Sequence, residues 1–467
     1  MLRFFSVLLL VVNFTSLSAQ APPANPTNMQ FSAVRPYAFQ LIFTPSTADG
    51  FLVLKGTSPI TDEPADGIVY EKGQGLSGCK VMAVGNVSGF NVREVIENTT
   101  YHLSVFAYNG TGANIKYQRI NPLVGSITTP AVNPGNYYAN IDSNSGTLLA
   151  DLKNLINPHT LVAYTQYRNN VVPTIFERDT IGSQSVVNCE YSGFTKIFTP
   201  PFDFTIPPLF SREHSLAKSW MQTGGNTNTA EGADYHNLLL TELNNVNSKR
   251  SNNPLGIVVT PTSTYLGCKL GLNSQGQTVF EPINERKGDV ARAMFYQMVC
   301  YNGLSGNWGF DFLPSQATEQ DQAVLKLWHQ QDPPDKFERT KSDYIASIQF
   351  NRNPFVDHPG WVNCINFDSL VKTTFCGAVS FLSEAGETIE FSVFPNPSSS
   401  ELNVVLPDYL NEAVQFTVYN IVGQEMINIT LPNSFTKVDI SKLKSCNYVV
   451  RVNVDNRQSY KRIAVLN

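Results

Sequence analysis

The period of the hydrophobic pattern changes twice along this chain, and that change forbids a single regular fold. Up to residue 129 apolar residues alternate over short runs, with Tyr101, Leu103, Val105 and Ala107 on one side and His102, Ser104 and Tyr108 on the other. Alternation is the signature of strands, whose successive side chains point to opposite faces. Between 135 and 365 the apolar residues recur three and four apart, as in Leu148, Leu149, Leu152, Leu155 and Ile156, with Ser145 as N-cap and a stop at Pro158. The same spacing predicts a helix from Asp234 to Arg250 with Leu239, Leu240, Leu243 and Val246 inward, and a third from Gly288-Asp289. A fourth runs through Val324, Leu325 and Trp328 to Pro333, and a fifth through Tyr344, Ile345 and Ile348 to Pro354. Residues 366–391 show no clear element and read as linker, after which strands return. A chain of 467 residues also exceeds what one core accommodates. The reading is multidomain: an all-β sandwich over 26–129, an α+β domain over 135–365, the linker over 366–391, and a second β-sandwich over 392–467.

The N-terminus bears on the compartment. Met1-Leu2-Arg3 precedes an apolar run, Phe4 to Phe14, broken only by Ser6 and Asn13, and small residues follow at Ser16, Ser18, Ala19 and Ala21. This is the form of a secretory signal peptide over 1–19, cut after Ala19 or Ala21 and too short to span a bilayer. No later run is long and apolar enough to cross a membrane, so a secreted or cell-surface location is expected. Seven cysteines (Cys79, Cys189, Cys268, Cys300, Cys364, Cys376, Cys446) lie far apart without a CxxC pair, which argues against zinc. One or two disulfides are expected in an exported chain, with one thiol left over and the pairing unread. A net charge of −5 offers no global basic field, so a polyanion would have to be held by local placement or a metal. With 42% hydrophobic and 15% charged residues the chain is not disordered.

Chemistry concentrates in 211–252: Ser211-Arg212-Glu213-His214-Ser215, Asp234-Tyr235-His236-Asn237, and Asn247-Ser248-Lys249-Arg250-Ser251-Asn252. Imidazole accepts a proton from water near neutral pH. A carboxylate and an amide oxygen suit Mg²⁺ or Ca²⁺. Arginine holds phosphate oxygens in a fork. Base, hard metal and phosphate clamp together describe phosphodiester hydrolysis with one metal ion. Glu213 and His214, adjacent on a strand, would face opposite ways and can share a site only at a strand end or turn.

The string Phe210-Ser211-Arg212-Glu213-His214, His236-Asn237-Leu238, Val246-Asn247, Arg250-Ser251-Asn252, Pro254-Leu255-Gly256, Phe280-Glu281-Pro282, Lys287 to Ala293 and Asn353-Pro354-Phe355-Val356-Asp357-His358-Pro359 resembles the endonuclease I family of secreted nucleases. That family carries the ββα-metal, or His-Me finger, active site. The resemblance implies that His214 is the general base and that Glu213 and Asn247 hold the metal, Mg²⁺ or Ca²⁺. It places Arg250 and Asn252 at the end of the same helix, near phosphate or bracing the site. Ala217 stands where the family usually has proline. DNA is the implied substrate, with RNA left open, and a monomer is expected. The rival reading is an extracellular DNA-binding adhesin that has lost catalysis.

Other residues read as structural. His236 is a core or supporting histidine, Asp289 an N-cap, and Arg292 either pairs with a carboxylate or reaches DNA. Asp357 and His358 fix a loop, while His159 and His329 read as solvated surface. The run Glu97 to Gly110 resembles the sixth strand of a fibronectin type III domain, with Tyr101 making its corner hydrogen bond. Val393-Phe394-Pro395-Asn396-Pro397-Ser398, Leu402-Asn403-Val404, Val418 to Glu425 and Tyr448 to Val452 resemble the sorting domain of the type IX (Por) secretion system of Bacteroidetes. That resemblance implies the secretion machinery as a partner.

Overall fold

The computed structural model describes residues 24–465 apart from 180–183, 304–308, 313–319, 374–390, 396, 407–413, 421–423, 432–434 and 455–456. The expected signal peptide, Cys376, most of the expected linker and Ile421-Val422-Gly423 of the sorting motif lie outside the described residues. The chain divides into two compact units, one ending at Ala378 and one beginning at Val379.

The first unit opens with two facing sheets. One orders Thr27–Arg35, Ala38–Thr44 and Gly89–Val92; the other is built around Gly50–Gly56 and Thr100–Asn109, flanked by Cys79–Gly85 and Leu123–Thr128. Phe39, Leu41, Val53, Val92, Leu103 and Val105 fill the space between them. The hydroxyl of Tyr101 accepts from the Ile96 N–H at 3.0 Å and ties the strand start to the preceding corner. Strand order and corner together make this a fibronectin type III-like sandwich. The second face of Thr100–Asn109 is covered as well: Phe106 joins Leu52, Leu54, Val81 and Tyr117 in a smaller cluster.

The α+β body follows in the same unit. Its central helix, Lys287–Cys300, is buried at every position from Gly288 onward, so it runs through the core rather than over it. Helices Leu148–Ile156, Gln322–Gln331 and Lys336–Gln349 stand where the periodicity puts them. The stretch expected as a helix from Asp234 to Arg250 does not form one. Tyr235–Asn237 is a 3₁₀ turn, Leu238–Glu242 is a strand, and only 243–250 is helical. Every residue of Leu238–Glu242 is buried, so no alternation of burial marks it as a strand, and Leu239 and Leu240 fall at helical spacing to Leu243 and Val246 by coincidence. Past residue 365 the body continues: Ile365–Asn366 pairs with Val371–Lys372, and Phe367 stacks on Phe295 at 4.1 Å. Thus 366–372 carries a small hairpin where no element was expected. Cys79, Cys189, Cys268, Cys300 and Cys446 are free thiols, so no disulfide joins two of these five. No described helix is long and apolar enough to cross a membrane.

Sandwich and body have separate apolar clusters but a joined surface. Glu97, buried at the sandwich edge, pairs with Arg339 and accepts from the Val132 N–H. Its own N–H donates to Thr340 Oγ1 at 3.1 Å, Lys336 Nζ donates to the Asn98 carbonyl at 2.7 Å, and Tyr37 packs edge-on against Tyr344 at 5.0 Å. All these body residues lie on helix Lys336–Gln349. Removing one partner of a buried, hydrogen-bonded charge strands the other, at a cost of about 1–3 kcal/mol. Glu97→Ala is therefore expected to lower the melting temperature of the first unit by several degrees, measured by thermal denaturation. Unchanged melting would mean that the junction carries no stability.

The second unit is a sandwich of its own. Ser392–Phe394, Glu401–Val405 and Phe435–Asp439 form one sheet; Glu425–Leu431, Val414–Tyr419, Cys446–Val454 and Arg457–Val465 form the other. Leu402, Val404, Phe416, Val418, Val450, Val452 and Ile463 make its core.

Candidate active site

Two antiparallel strands and the helical segment after them build the site. Phe210–His214 pairs with Leu238–Glu242, Glu213 opposite Leu239 and His214 opposite Leu238. The chain then turns directly into 243–250, capped by Glu242, whose carboxylate accepts from the Asn244 and Asn245 N–H groups. This ββα order brings Asn247 to the first strand, where its Nδ2 donates to Glu213 Oε2 and, at 3.4 Å, to Thr241 Oγ1. Glu213 and Asn247, expected together from the sequence, are in contact.

His214 is the last residue of its strand, the position where neighbouring side chains can escape strict alternation. Its imidazole is buried, and Nε2 lies 2.9 Å from the Gly232 carbonyl oxygen. A carbonyl only accepts, so Nε2 carries the hydrogen and the lone pair sits on Nδ1. Burial, helped by the positive charges of Lys218 and Arg212, holds the imidazole down to about 4 against the pull of the Gly232 carbonyl. The ring is therefore neutral at physiological pH. Tyr164 lies parallel to it, centroids 5.6 Å apart and planes within 9°. Burial pushes the Glu213 carboxyl up to about 7, opposed by Arg250, the Asn247 amide and Lys218.

Arg250 is fully buried beneath the site. Its Nη2 donates to the Ser215 carbonyl at 2.7 Å and its Nη1 to the Ser251 carbonyl at 2.9 Å, with the guanidinium 5.6 Å from the Trp220 ring. That is the geometry of a brace on the residue after His214. Asn252 follows in a turn that starts at Ser251, whose φ is +40°. It lies in the turn after the short helix, not inside a long one.

Several supports have no mark in the sequence. Gly232 packs so closely that an added Cβ would stand 2.2 Å from the Asn226 carbonyl oxygen, so the backbone that holds His214 needs glycine there. Ser215 N–H donates to the Asn237 carbonyl and Leu216 N–H to Asn237 Oδ1, both at 2.9 Å, which closes the loop after His214 onto the second strand. Asp234 caps the turn into that strand and accepts from Tyr296 at 2.6 Å and Tyr301 at 2.9 Å. Burial opposes its charge, but His159, at 3.1 Å, keeps its carboxyl well below the usual range.

His159 is thus no surface residue; its side chain is 1% exposed and closes the Asp234 network. His329, also expected at the surface, is buried between Arg292 Nη1 at 3.3 Å and the Pro359 carbonyl at 2.9 Å. His159 sits between elements and His329 near the end of helix Gln322–Gln331, and distant chain buries both. Arg292 is fully buried on Glu338 (2.8 Å) and Asp289 (3.1 Å), which leaves it no reach toward a nucleic acid. Asp289 belongs to this ion cluster in the helix's first turn, one turn past the cap position held by Arg286. His236 is buried against the Asn351 carbonyl at 3.2 Å. Asp357 binds Arg352 and the Tyr138 hydroxyl, and His358 stacks on Trp361.

The donor set fits a hard cation. Among the described residues no three His, Cys, Asp or Glu side chains converge, so no closed protein cage is offered there. One carboxylate and one amide suit an ion that keeps waters and takes oxygens from its substrate.

An extracellular ribonuclease of Bacillus amyloliquefaciens is 31% identical over 250 residues, which cover 51% of this chain and 80% of the relative. The endonuclease I model matches residues 205–360. The chain belongs to the endonuclease I family. A secretion system C-terminal sorting domain matches 392–466. The extracellular ribonuclease of Bacillus subtilis (strain 168) is 30% identical over 241 residues, covering 50% of this endonuclease I chain and 79% of its own. A periplasmic deoxyribonuclease of Aeromonas hydrophila is 25% identical over 158 residues, covering 32% and 61%. Solved fibronectin type III domains include the FN3 domain of human collagen XX, 19% identical, covering 24% of this chain and all of that one, TM-score 0.15. The sandwich assignment rests on strand order and the Tyr101 corner, not on that score. This endonuclease I protein is a nuclease, a hydrolase of nucleic acid, and its type IX sorting domain marks it as secreted or held at the cell surface.

Proposed function

We propose that the protein is an endonuclease that depends on a divalent cation, Mg²⁺ or Ca²⁺, and cuts both DNA and RNA without reading the base. The observation that carries this reading is the His214 Nε2–Gly232 carbonyl bond, which leaves a neutral imidazole with its lone pair on Nδ1, one residue from the Glu213–Asn247 pair. In this reading His214 takes a proton from the water that attacks phosphorus and passes it to solvent afterwards, while the P–O3′ bond breaks and the leaving 3′ oxygen takes a proton from solvent. Glu213 and Asn247 would hold the cation, the amide turning its oxygen inward, and the cation would supply positive charge against the phosphate. Arg250 keeps the Ser215 carbonyl, and with it the loop after His214, in place, and Asn252 supports the turn beyond. Because the groups address phosphate alone, neither base nor sugar is selected. The named relatives, two ribonucleases and a deoxyribonuclease, support a site open to both polymers.

The test is purified protein with plasmid DNA and with single-stranded RNA, in Mg²⁺, in Ca²⁺ and in EDTA. Both polymers should be cut with a cation and spared in EDTA. Binding without cutting would favour the adhesin, and cutting in EDTA would remove the cation from the mechanism.

A further inference from the structure

The Gly232 bond fixes one point of the His214 ring, Nε2. One point does not fix a plane: the imidazole can still rock about the line from Cβ to Nε2, and rocking swings Nδ1. What blocks the motion lies on the ring's face. We infer that Tyr164 is a positioning residue for catalysis, holding the His214 ring in the plane that aims Nδ1. The two rings are within 9° of parallel at 5.6 Å.

Tyr164 is itself held from several directions, as a positioning group must be. Its hydroxyl donates to the Arg212 carbonyl at 3.1 Å, two residues before His214 on the same strand. The Arg212 guanidinium stands 4.2 Å over the Tyr164 ring and donates to the Tyr164 carbonyl at 3.4 Å. Phe204 also lies against that guanidinium, at 4.6 Å. The residue before, Ala163, accepts from the Tyr235 hydroxyl at 2.7 Å, which ties this turn to the chain entering the second strand. Arg212 and His214 share one face of their strand, and Tyr164 spans both. It stands at 164, outside the 205–360 that match the endonuclease I model.

The inference rests on His214 being the base, so the test carries His214→Ala as reference. Tyr164→Leu keeps apolar bulk and removes the flat face; Tyr164→Phe keeps the face and removes only the hydroxyl. A slightly misaimed base costs about ten- to a hundredfold in turnover while substrate binding is untouched. With plasmid as substrate, Tyr164→Leu should lose about that much in kcat at a KM within about twofold of wild type, and Tyr164→Phe should recover most of it. A merely structural role would lower thermal stability without separating kcat from KM or distinguishing Phe from Leu. Wild-type kcat in Tyr164→Leu, or equal loss in Tyr164→Phe, overturns the inference while His214→Ala remains inactive. Turnover in His214→Ala would overturn the reading beneath it instead.

Discussion

Replacing His214 by alanine is expected to reduce cleavage by about 10²–10⁴-fold, the usual worth of a positioned general base. Among the described residues the side chain makes one hydrogen bond, to the Gly232 carbonyl, one ring contact, to Tyr164, and no ion pair. Ser215 and Leu216 stay clasped to Asn237 without it. The fold should therefore survive, and nucleic-acid binding, followed by fluorescence anisotropy, should stay near wild type. Glu213 and Asn247 are untouched, so the cation requirement of the residual activity should not change. Binding and cutting must separate in this variant. Near-wild-type turnover would take His214 out of the mechanism.

Glu213→Gln should raise the Mg²⁺ concentration for half-maximal nicking by about ten- to a hundredfold, or about 1.4–2.7 kcal/mol, since it removes one unit charge facing a divalent ion across a largely screened gap. Asn247→Ala should act in the same direction but less, because it removes a dipole rather than a charge. Stability should move the other way. Burial raises the Glu213 carboxyl to about 7, above the range of an unfolded glutamate, so above that pH its charge disfavours the cation-free fold. In EDTA at pH 8 the glutamine variant should melt no earlier than wild type. Superimposed metal titrations for wild type and both variants would move the cation elsewhere. Such a carboxylate, costly to the fold until a cation arrives, is what a functional site retains against stability.

Much of this was legible in order along the chain. Tyr101 and the alternation around it define a sandwich strand because strand periodicity is local. Helices Leu148–Ile156, Lys287–Cys300 and Gln322–Gln331 show their turns for the same reason. The Arg-Glu-His triplet and the asparagine thirty-three residues after His214 mark a candidate site through residue types, and the fold brings Glu213 and Asn247 into contact. What stayed hidden depends on backbone or on distant partners. The carbonyl of Gly232 has no letter of its own. His159 and His329 look solvated until Asp234 and Arg292, both remote in sequence, fold against them.

By itself, then, the sequence determined which residue types are available for the chemistry, the strand–helix–strand succession of the domains, and the sorting domain at the end. The tertiary structure alone decided that Leu238–Glu242 is a strand, that Arg250 faces inward, that Tyr164 lies on His214, and that Glu97 joins the sandwich to helix Lys336–Gln349. The physical reason is the range of the interactions. Periodicity and side-chain type act over a few residues, whereas a pairing partner, a stacked ring or a burying surface is set by chain far away in sequence. Leu238–Glu242 shows it most plainly, for Leu239 and Leu240 stand at helical spacing to Leu243 and Val246, yet their segment is a strand with Phe210–His214 beside it.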